Sequence, residues 1–159
     1  MDQSLCFPVN PSGKLPMTFP IDYFDIPSSR NFPMVRETKS GKNFDYTNYE
    51  EDIWVGYRYF NTANKAIVYP FGYGLSYTNF SFGKPKLERK NEKWVATIQI
   101  TNTGNVSGKE TVQLYISAPQ TSIQKPSAEL KAFGKTRELK PEESETVKLE
   151  FTDYDLASF

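Results

Sequence analysis

Histidine is absent from the 159 residues. That excludes every mechanism needing an imidazole, from Ser-His-Asp and Cys-His catalysis to His-ligated zinc. A single cysteine, Cys6, rules out an internal disulfide framework. No basic neighbour stands close in sequence to activate it, so it reads as a passive thiol. Charge of one sign is not in excess: 19 basic and 19 acidic residues balance. A nucleic-acid-tracking surface normally leaves a basic surplus, so nucleic acid is excluded as the main partner. No apolar run approaches the roughly 18 residues of a membrane-crossing helix, and no membrane partner is expected. The opening residues MDQSLCFPVNPSGK lack the basic and apolar regions of a secretion signal. No D-x-[DN]-x-[DN]-G calcium spacing occurs, and neither a metal nor a cofactor is expected.

What is present is divided unevenly. Residues 1–80 hold 17 of the 24 aromatic residues and 7 of the 11 prolines, while 81–159 hold 23 of the 38 charges. A boundary is placed near Phe80. Prolines at 8, 11, 16, 20, 27 and 33 each fix φ and remove a donor, so long helices and central strands are excluded there. Lys14–Pro20 reads as a short extended or edge segment, and residues 34–48 as polar turns. Ile53, Val55, Tyr57 and Tyr59 alternate with Trp54, Gly56, Arg58 and Phe60, which predicts a strand. Pro70-Phe71-Gly72-Tyr73-Gly74 is a turn cluster in which glycine permits positive φ.

The second half reads as β throughout. Trp94, Ala96, Ile98 and Ile100 share one strand face, with Val95, Thr97, Gln99 and Thr101 opposite. Thr103-Gly104-Asn105 breaks that strand. Val112, Leu114 and Ile116 mark the next, Leu130–Leu139 a weaker one, and Val147, Leu149 and Phe151 another after the turn Lys140–Ser144. With a leading strand at 80–89, about five strands recur at regular spacing. The fold class is all-β, an immunoglobulin-like sandwich preceded by an irregular aromatic- and proline-rich segment. Such sandwiches have about seven strands, so the sandwich is expected to be truncated, with an edge near residues 145–152 left unpaired and open to self-association.

Most chemical motifs fail on inspection. Gly72-Tyr73-Gly74-Leu75-Ser76-Tyr77 begins like a dinucleotide fingerprint, but Tyr77 replaces the third glycine and no helix pattern follows. Ser12-Gly13-Lys14 is followed by Leu15, not the Ser/Thr of a P-loop. Asn79-Phe80-Ser81 and Asn105-Val106-Ser107 are glycosylation sequons, relevant only in a eukaryotic secretory pathway. Glu50, Glu51 and Asp52, followed by Trp54 and Arg58, form the one cluster with sugar-handling chemistry. Paired carboxylates can cleave a glycosidic bond, and aromatic faces stack on sugar rings. The plainer reading is a solvated acidic turn with Trp54 in the core, since adjacency does not aim two carboxylates at one bond.

Several strings converge on one family. SGKLPMTFP (12–20), YEEDIWVGYRYF (49–60) and YPFGYGLSYTNF (69–80) resemble glycoside hydrolase family 3. TNTGNVSGKETVQLYISAP (101–119), KPSAELKAFGKTRELKPEESETV (125–147) and the closing FTDYDLASF are similar to that family's fibronectin type III-like domain. The resemblance implies a parent β-glucosidase that acts by a retaining two-carboxylate mechanism. A barrel supplies the Asp nucleophile, and an α/β sandwich domain often supplies the Glu acid/base. Carried over residue by residue, no catalytic position falls on this chain. Residues 1–80 would match the tail of the α/β domain and a linker, and 81–159 the fibronectin-like domain. EEDIWVGYRYF also resembles the subgroup that often lacks a secretion signal, which points to a bacterial cytoplasmic location.

The reading is therefore a structural fragment whose partners are the remaining catalytic domains of the parent. Phe71, Gly72, Tyr73, Gly74 and Tyr77 would form an interdomain turn. Glu50, Glu51, Asp52, Trp54 and Arg58 would be sugar or interdomain contacts. The alternatives are a carbohydrate-binding module with Trp54, Tyr57, Tyr59 and Tyr73 as an oligosaccharide platform, an enzyme using Glu50 and Glu51 as a pair, and an adhesion-type β domain.

Overall fold

The computed structural model describes residues 9–31 and 49–157, and the backbone of 35–39 and 42–46. Cys6 lies outside the described residues. In chain order the elements are β1 (Phe19–Pro20), 3₁₀ turns at Tyr23–Asp25 and Pro27–Arg30, β2 (Val35–Lys39), β3 (Lys42–Tyr46), α1 (Tyr57–Thr62), β4 (Ile67–Tyr69), β5 (Phe80–Phe82), β6 (Lys86–Lys90), β7 (Lys93–Asn102), β8 (Thr111–Ile116), β9 (Glu129–Lys135), β10 (Ser144–Thr152) and α2 (Asp153–Leu156). No helix among the described residues is long and apolar enough to cross a membrane. The described residues fall into two compact units. One comprises 9–14, 74–116 and 129–157, and the other 15–73 and 117–128.

The first unit is a small all-β sandwich without a closed barrel. β7 is its central strand, paired antiparallel with β10 from Ser144↔Thr101 to Thr152↔Lys93 without a break. On its other side β7 pairs with β5 at one end and β6 at the other. The sequence predicts one strand across 80–89. It is divided at Gly83-Lys84-Pro85, because Pro85 has no N–H to give a ladder, and Gly83 bridges the gap by donating its N–H to Gln99 O at 2.8 Å. β8 and β9 form the second sheet, with a register shift between Leu114 and Tyr115.

Ala96 and Ile100 of β7 and Val147 and Leu149 of β10 meet Val112 of β8 and Leu139 in the core. Phe80, Ile98, Leu114 and Ala132 pack against this cluster. The buried Ile100, Val112, Leu139, Val147 and Leu149 each contribute roughly 1.5–3 kcal/mol on burial. The alternation predicted for β7 places Ala96 and Ile100 in that core, while Val95 on the opposite face is buried as well.

A polar residue pins the same core. Asn102 is 0% exposed. Its Nδ2 donates to Val106 O at 2.8 Å and to Leu139 O at 2.9 Å. Its Oδ1 accepts from Thr78 Oγ1 at 2.6 Å and Gly104 N at 3.1 Å. The amide therefore uses both donors and both acceptor positions, which is what makes a buried amide tolerable. Gly104 is required beside it, because a Cβ there would lie 2.2 Å from Thr78 Oγ1.

In the second unit β1 pairs with β4 and β2 with β3, both antiparallel. Residues 35–39 and 42–46, expected as polar turns, are therefore extended and paired. The strand expected over 53–60 is corrected more sharply: α1 begins at Tyr57, entered through Gly56 at φ 54° and ψ −135°. That conformation is open to glycine and ends the extended run. From there the burial follows a helix, with Phe60 N–H bonded to Gly56 O at 3.1 Å and Phe60 buried.

Candidate functional site

The acidic-aromatic cluster lies in the second unit, where the backbone brings part of it together. Trp54 N–H donates to Glu51 O at 2.8 Å, closing a turn over Asp52 and Ile53. Asp52 takes φ 51° at that turn, a left-handed conformation that a short polar residue tolerates. The turn sets Glu51 and Trp54 at its two ends and leaves Asp52 exposed at the tip.

α1 supplies the facing residues. Tyr59, Thr62 and Ala63 stand at i, i+3 and i+4, one stripe of a helix. A hollow of about 390 Å³ is lined by Glu50, Glu51 and Trp54, by this stripe, and by Pro27 and Gln124. Gln124 arrives on the loop 117–128. Gln120 clamps that loop, its Nε2 donating to Lys125 O at 3.2 Å and its Oε1 accepting from Lys125 N at 3.3 Å. Ser127 ties the loop to α1 by donating its N–H to Thr62 Oγ1 at 2.9 Å.

Of the predicted site residues, Glu50, Glu51 and Trp54 thus share one hollow. Asp52 and Arg58 are not in its lining. The Arg58 guanidinium stands 5.9 Å from the centre of the Tyr57 ring. The four-ring platform is not assembled: Tyr57 packs on Phe71 at 5.1 Å and Tyr73 on Tyr69 at 4.7 Å, leaving Trp54 and Tyr59 at the hollow. Because 57–62 is a helix, Tyr57 and Tyr59 point to different surroundings, whereas a strand would have put them on one face. Pro27, Tyr59, Thr62, Ala63 and Gln124 were not marked as one site by any sequence signal, since three distant segments supply them.

Electrostatically the hollow is acidic. Neither Glu50 nor Glu51 is in an ion pair among the described residues. Glu51 Oε2 is buried with no hydrogen-bond partner among the described residues. Lys65 stands over Tyr59 at 5.9 Å, its charge paired with Asp25 at 3.4 Å. In the sandwich, three carboxylates are held below their ordinary range. Glu143 is held low first by a hydrogen bond from Arg137 and then by the Lys140 N–H. Glu150 is held low by Lys148 and Lys93, and Asp155 by the Thr152 hydroxyl and N–H. No group of three or more metal-ligating side chains is gathered among the described residues.

The glycine turn has defined geometry. Tyr73 N–H bonds to Pro70 O at 3.1 Å and Gly72 has φ 80°, the hydrogen bond and positive φ of a type II turn with glycine at its third position. Leu15 pairs with it, donating to Tyr73 O and accepting from Gly72 N, each at 2.8 Å. Gly74 passes so close to Gly13 that a Cβ would lie 2.3 Å from Gly13 O. Tyr77 is exposed and donates its N–H to Asn10 Oδ1 at 2.8 Å.

Comparison with known proteins identifies the lineage. The fibronectin type III-like domain family matches residues 110–159. β-Glucosidase A of Butyrivibrio fibrisolvens is 42% identical over 169 residues, covering 95% of this chain and 19% of its own length. A β-glucosidase of Ruminococcus albus is 41% identical, covering 95% of this chain and 15% of its own length. Among solved structures, β-glucosidase 3B of Thermotoga neapolitana in complex with glucose superposes with a TM-score of 0.84 at 51% identity, over 94% of this chain and 20% of that one. A GH3 β-glucosidase of Bifidobacterium adolescentis superposes with a TM-score of 0.79 at 36% identity, over 92% of this chain and 21% of that one. The chain thus spans about a fifth of the proteins it matches. Over nearly its whole length it corresponds to a region of glycoside hydrolase family 3 β-glucosidases that includes a fibronectin type III-like domain.

Proposed function

We propose that this chain is a non-catalytic, structural part of a family 3 β-glucosidase, which packs against and supports the catalytic domains. The whole enzyme would release terminal non-reducing β-D-glucosyl residues with retention of configuration, using two carboxylates that other parts supply. The observation that carries the reading is coverage: nearly all of this chain aligns, in order, with a fifth or less of enzymes named β-glucosidase. Exposed apolar side chains in the second unit support it. Phe24 is 79% and Tyr49 83% exposed, with Met17, Ile21, Val55 and Val68 also open. Such surface is normally covered by a partner. The site chemistry agrees, because both acids of the hollow come from consecutive positions of one segment. A glycosidase needs its two carboxyl groups on either side of the bond, roughly 5–9.5 Å apart.

The test is complementation. A β-glucosidase lacking the matching segment is mixed with this chain, and hydrolysis of an aryl β-glucoside is followed. Restored turnover together with a 1:1 complex in sedimentation is the expected result. Turnover of the aryl glucoside or cellobiose by this chain alone, abolished by Glu50→Gln or Glu51→Gln, would overturn the reading, as would failure to form the complex.

A further inference from the structure

The hollow of the second unit has a chemistry that packing alone does not require. Trp54, Tyr59, Glu50 and Glu51 line it, and no basic residue does among the described residues. Two carboxylates with no paired cation among the described residues create a negative site. The faces of Trp and Tyr add to it, since their quadrupoles attract positive charge. Tyr59 already displays that preference, with the Lys65 ammonium over its ring. Lys65 is paired with Asp25, so among the described residues no cation is paired with Glu50 or Glu51. A neutral sugar would need donors as well as acceptors. The lining does offer neutral groups, the Trp54 indole N–H, the Tyr59 hydroxyl and the Gln124 amide, while the Thr62 hydroxyl is engaged with Ser127, both accepting its N–H and donating to its Oγ at 3.4 Å; the two carboxylates are what favour a cation over a sugar.

We infer that this hollow receives the guanidinium of an arginine side chain presented by a catalytic domain of the parent enzyme. The inference rests on the structural role proposed above and names the contact through which part of that packing is made. Arginine fits better than lysine. Its planar group can lie against an aromatic face while its edge donates to a carboxylate, and it is less strongly hydrated than an ammonium. The volume of about 390 Å³ lies within the range of small-ligand pockets, ample for one side chain. The loop 117–128 belongs to the wall through Gln124, so its Gln120–Lys125 clamp is a positioning device for the hollow.

The experiment uses the full chain, ¹⁵N-labelled, with N-acetyl-arginine amide as the probe. The two tryptophans give two indole N–H signals, assigned with Trp54→Phe. The Trp94 indole already donates to Asp153 at 2.7 Å and serves as the internal reference. The Trp54 signal is expected to move saturably with a dissociation constant of about millimolar. The neutral isostere N-acetyl-citrulline amide should bind about tenfold more weakly or not at all, as should arginine to the Glu50→Gln/Glu51→Gln variant. The citrulline comparison is made on the unaltered protein and does not depend on a variant folding. Equal responses to arginine and citrulline, no saturable shift with arginine, or a shift of the same signal by cellobiose would each overturn the inference. Complementation reads packing whatever fills the hollow, and this titration reads the hollow whatever packs, so the two readings fail separately.

Discussion

Truncating Asn102 to alanine should cost the sandwich about 4 kcal/mol, from four side-chain hydrogen bonds at about 1 kcal/mol each. The cost is not evenly shared. Leu139 O keeps the Gly108 N–H at 3.0 Å, so its loss is partial. Thr78 Oγ1, in a residue 6% exposed, loses the acceptor it donates to at 2.6 Å, and Gly104 N–H loses its acceptor too. Against a typical domain stability of about 5–15 kcal/mol, this is a large fraction. For a chain of this size it corresponds to a fall in Tm of about 8–16 °C. The assay is urea unfolding followed by Trp94 fluorescence in a Trp54→Phe background. The Trp94 ring stacks near Phe151 at 6.4 Å and 10°, so its signal reports the same unit. Asn102→Asp should be at least as harmful at neutral pH, because it turns an oxygen toward the Val106 and Leu139 carbonyls in place of two donors. Thr103→Ala, exposed next door, is the control. An Asn102→Ala midpoint within about 1 kcal/mol of the parent, at unchanged slope, would refute the argument that this amide pins the core.

Other outcomes follow from the same geometry. Glu143, Glu150 and Asp155 have folded pKa values below their unfolded ones. Their stabilising contribution is therefore complete above the unfolded carboxylate range and is lost as pH falls through the lowered values, below about pH 4. Thermal melts from pH 7 to pH 2 should show this loss, and high salt should shrink the part due to the exposed pairs Arg137–Glu143 and Lys148–Glu150. Gly74→Ala should destabilise measurably in urea, because its Cβ meets the Gly13 carbonyl, which cannot move aside as a flexible side chain would. Glu142→Gly should stabilise by about 0.5 kcal/mol: Glu142 has φ 63° in the turn closed by Glu143 N–H to Lys140 O at 3.0 Å, the position where type II turns favour glycine.

Reading the sequence succeeded where one physical rule dominates. β7, β8 and β10 were legible because a buried face repeats every second residue, as in Val147, Leu149 and Phe151. The Lys140–Ser144 turn was legible because Pro141 fixes φ. Residues 53–60 misled because a short helix with Tyr57 and Phe60 at i and i+3 also contains every-other-residue aromatics. The deciding feature, the backbone conformation at Gly56, leaves no hydrophobic period. Asn102 was invisible for a different reason: a polar residue ending a strand reads as surface until its four partners are seen. Three of the eight residues lining the hollow, Glu50, Glu51 and Trp54, could be read as one cluster. Pro27 and Gln124 join it only through tertiary folding, and α1 brings Tyr59 to it by helical spacing.

The path of the chain also sets how this region can be cut and exchanged. The polypeptide passes from one compact unit to the other four times, after Lys14, Tyr73, Ile116 and Ala128. Neither unit is a cassette. A chimera that moves residues 74–159 as one block carries 117–128, and with it Gln124, into a foreign second unit while leaving Asn10 and its bonds to Ser76 and Tyr77 behind. Successful grafts between relatives should therefore take 9–14, 74–116 and 129–157 together and keep the recipient's own 117–128. Likewise, a single protease nick at any one crossing leaves both units covalently joined through the remaining three.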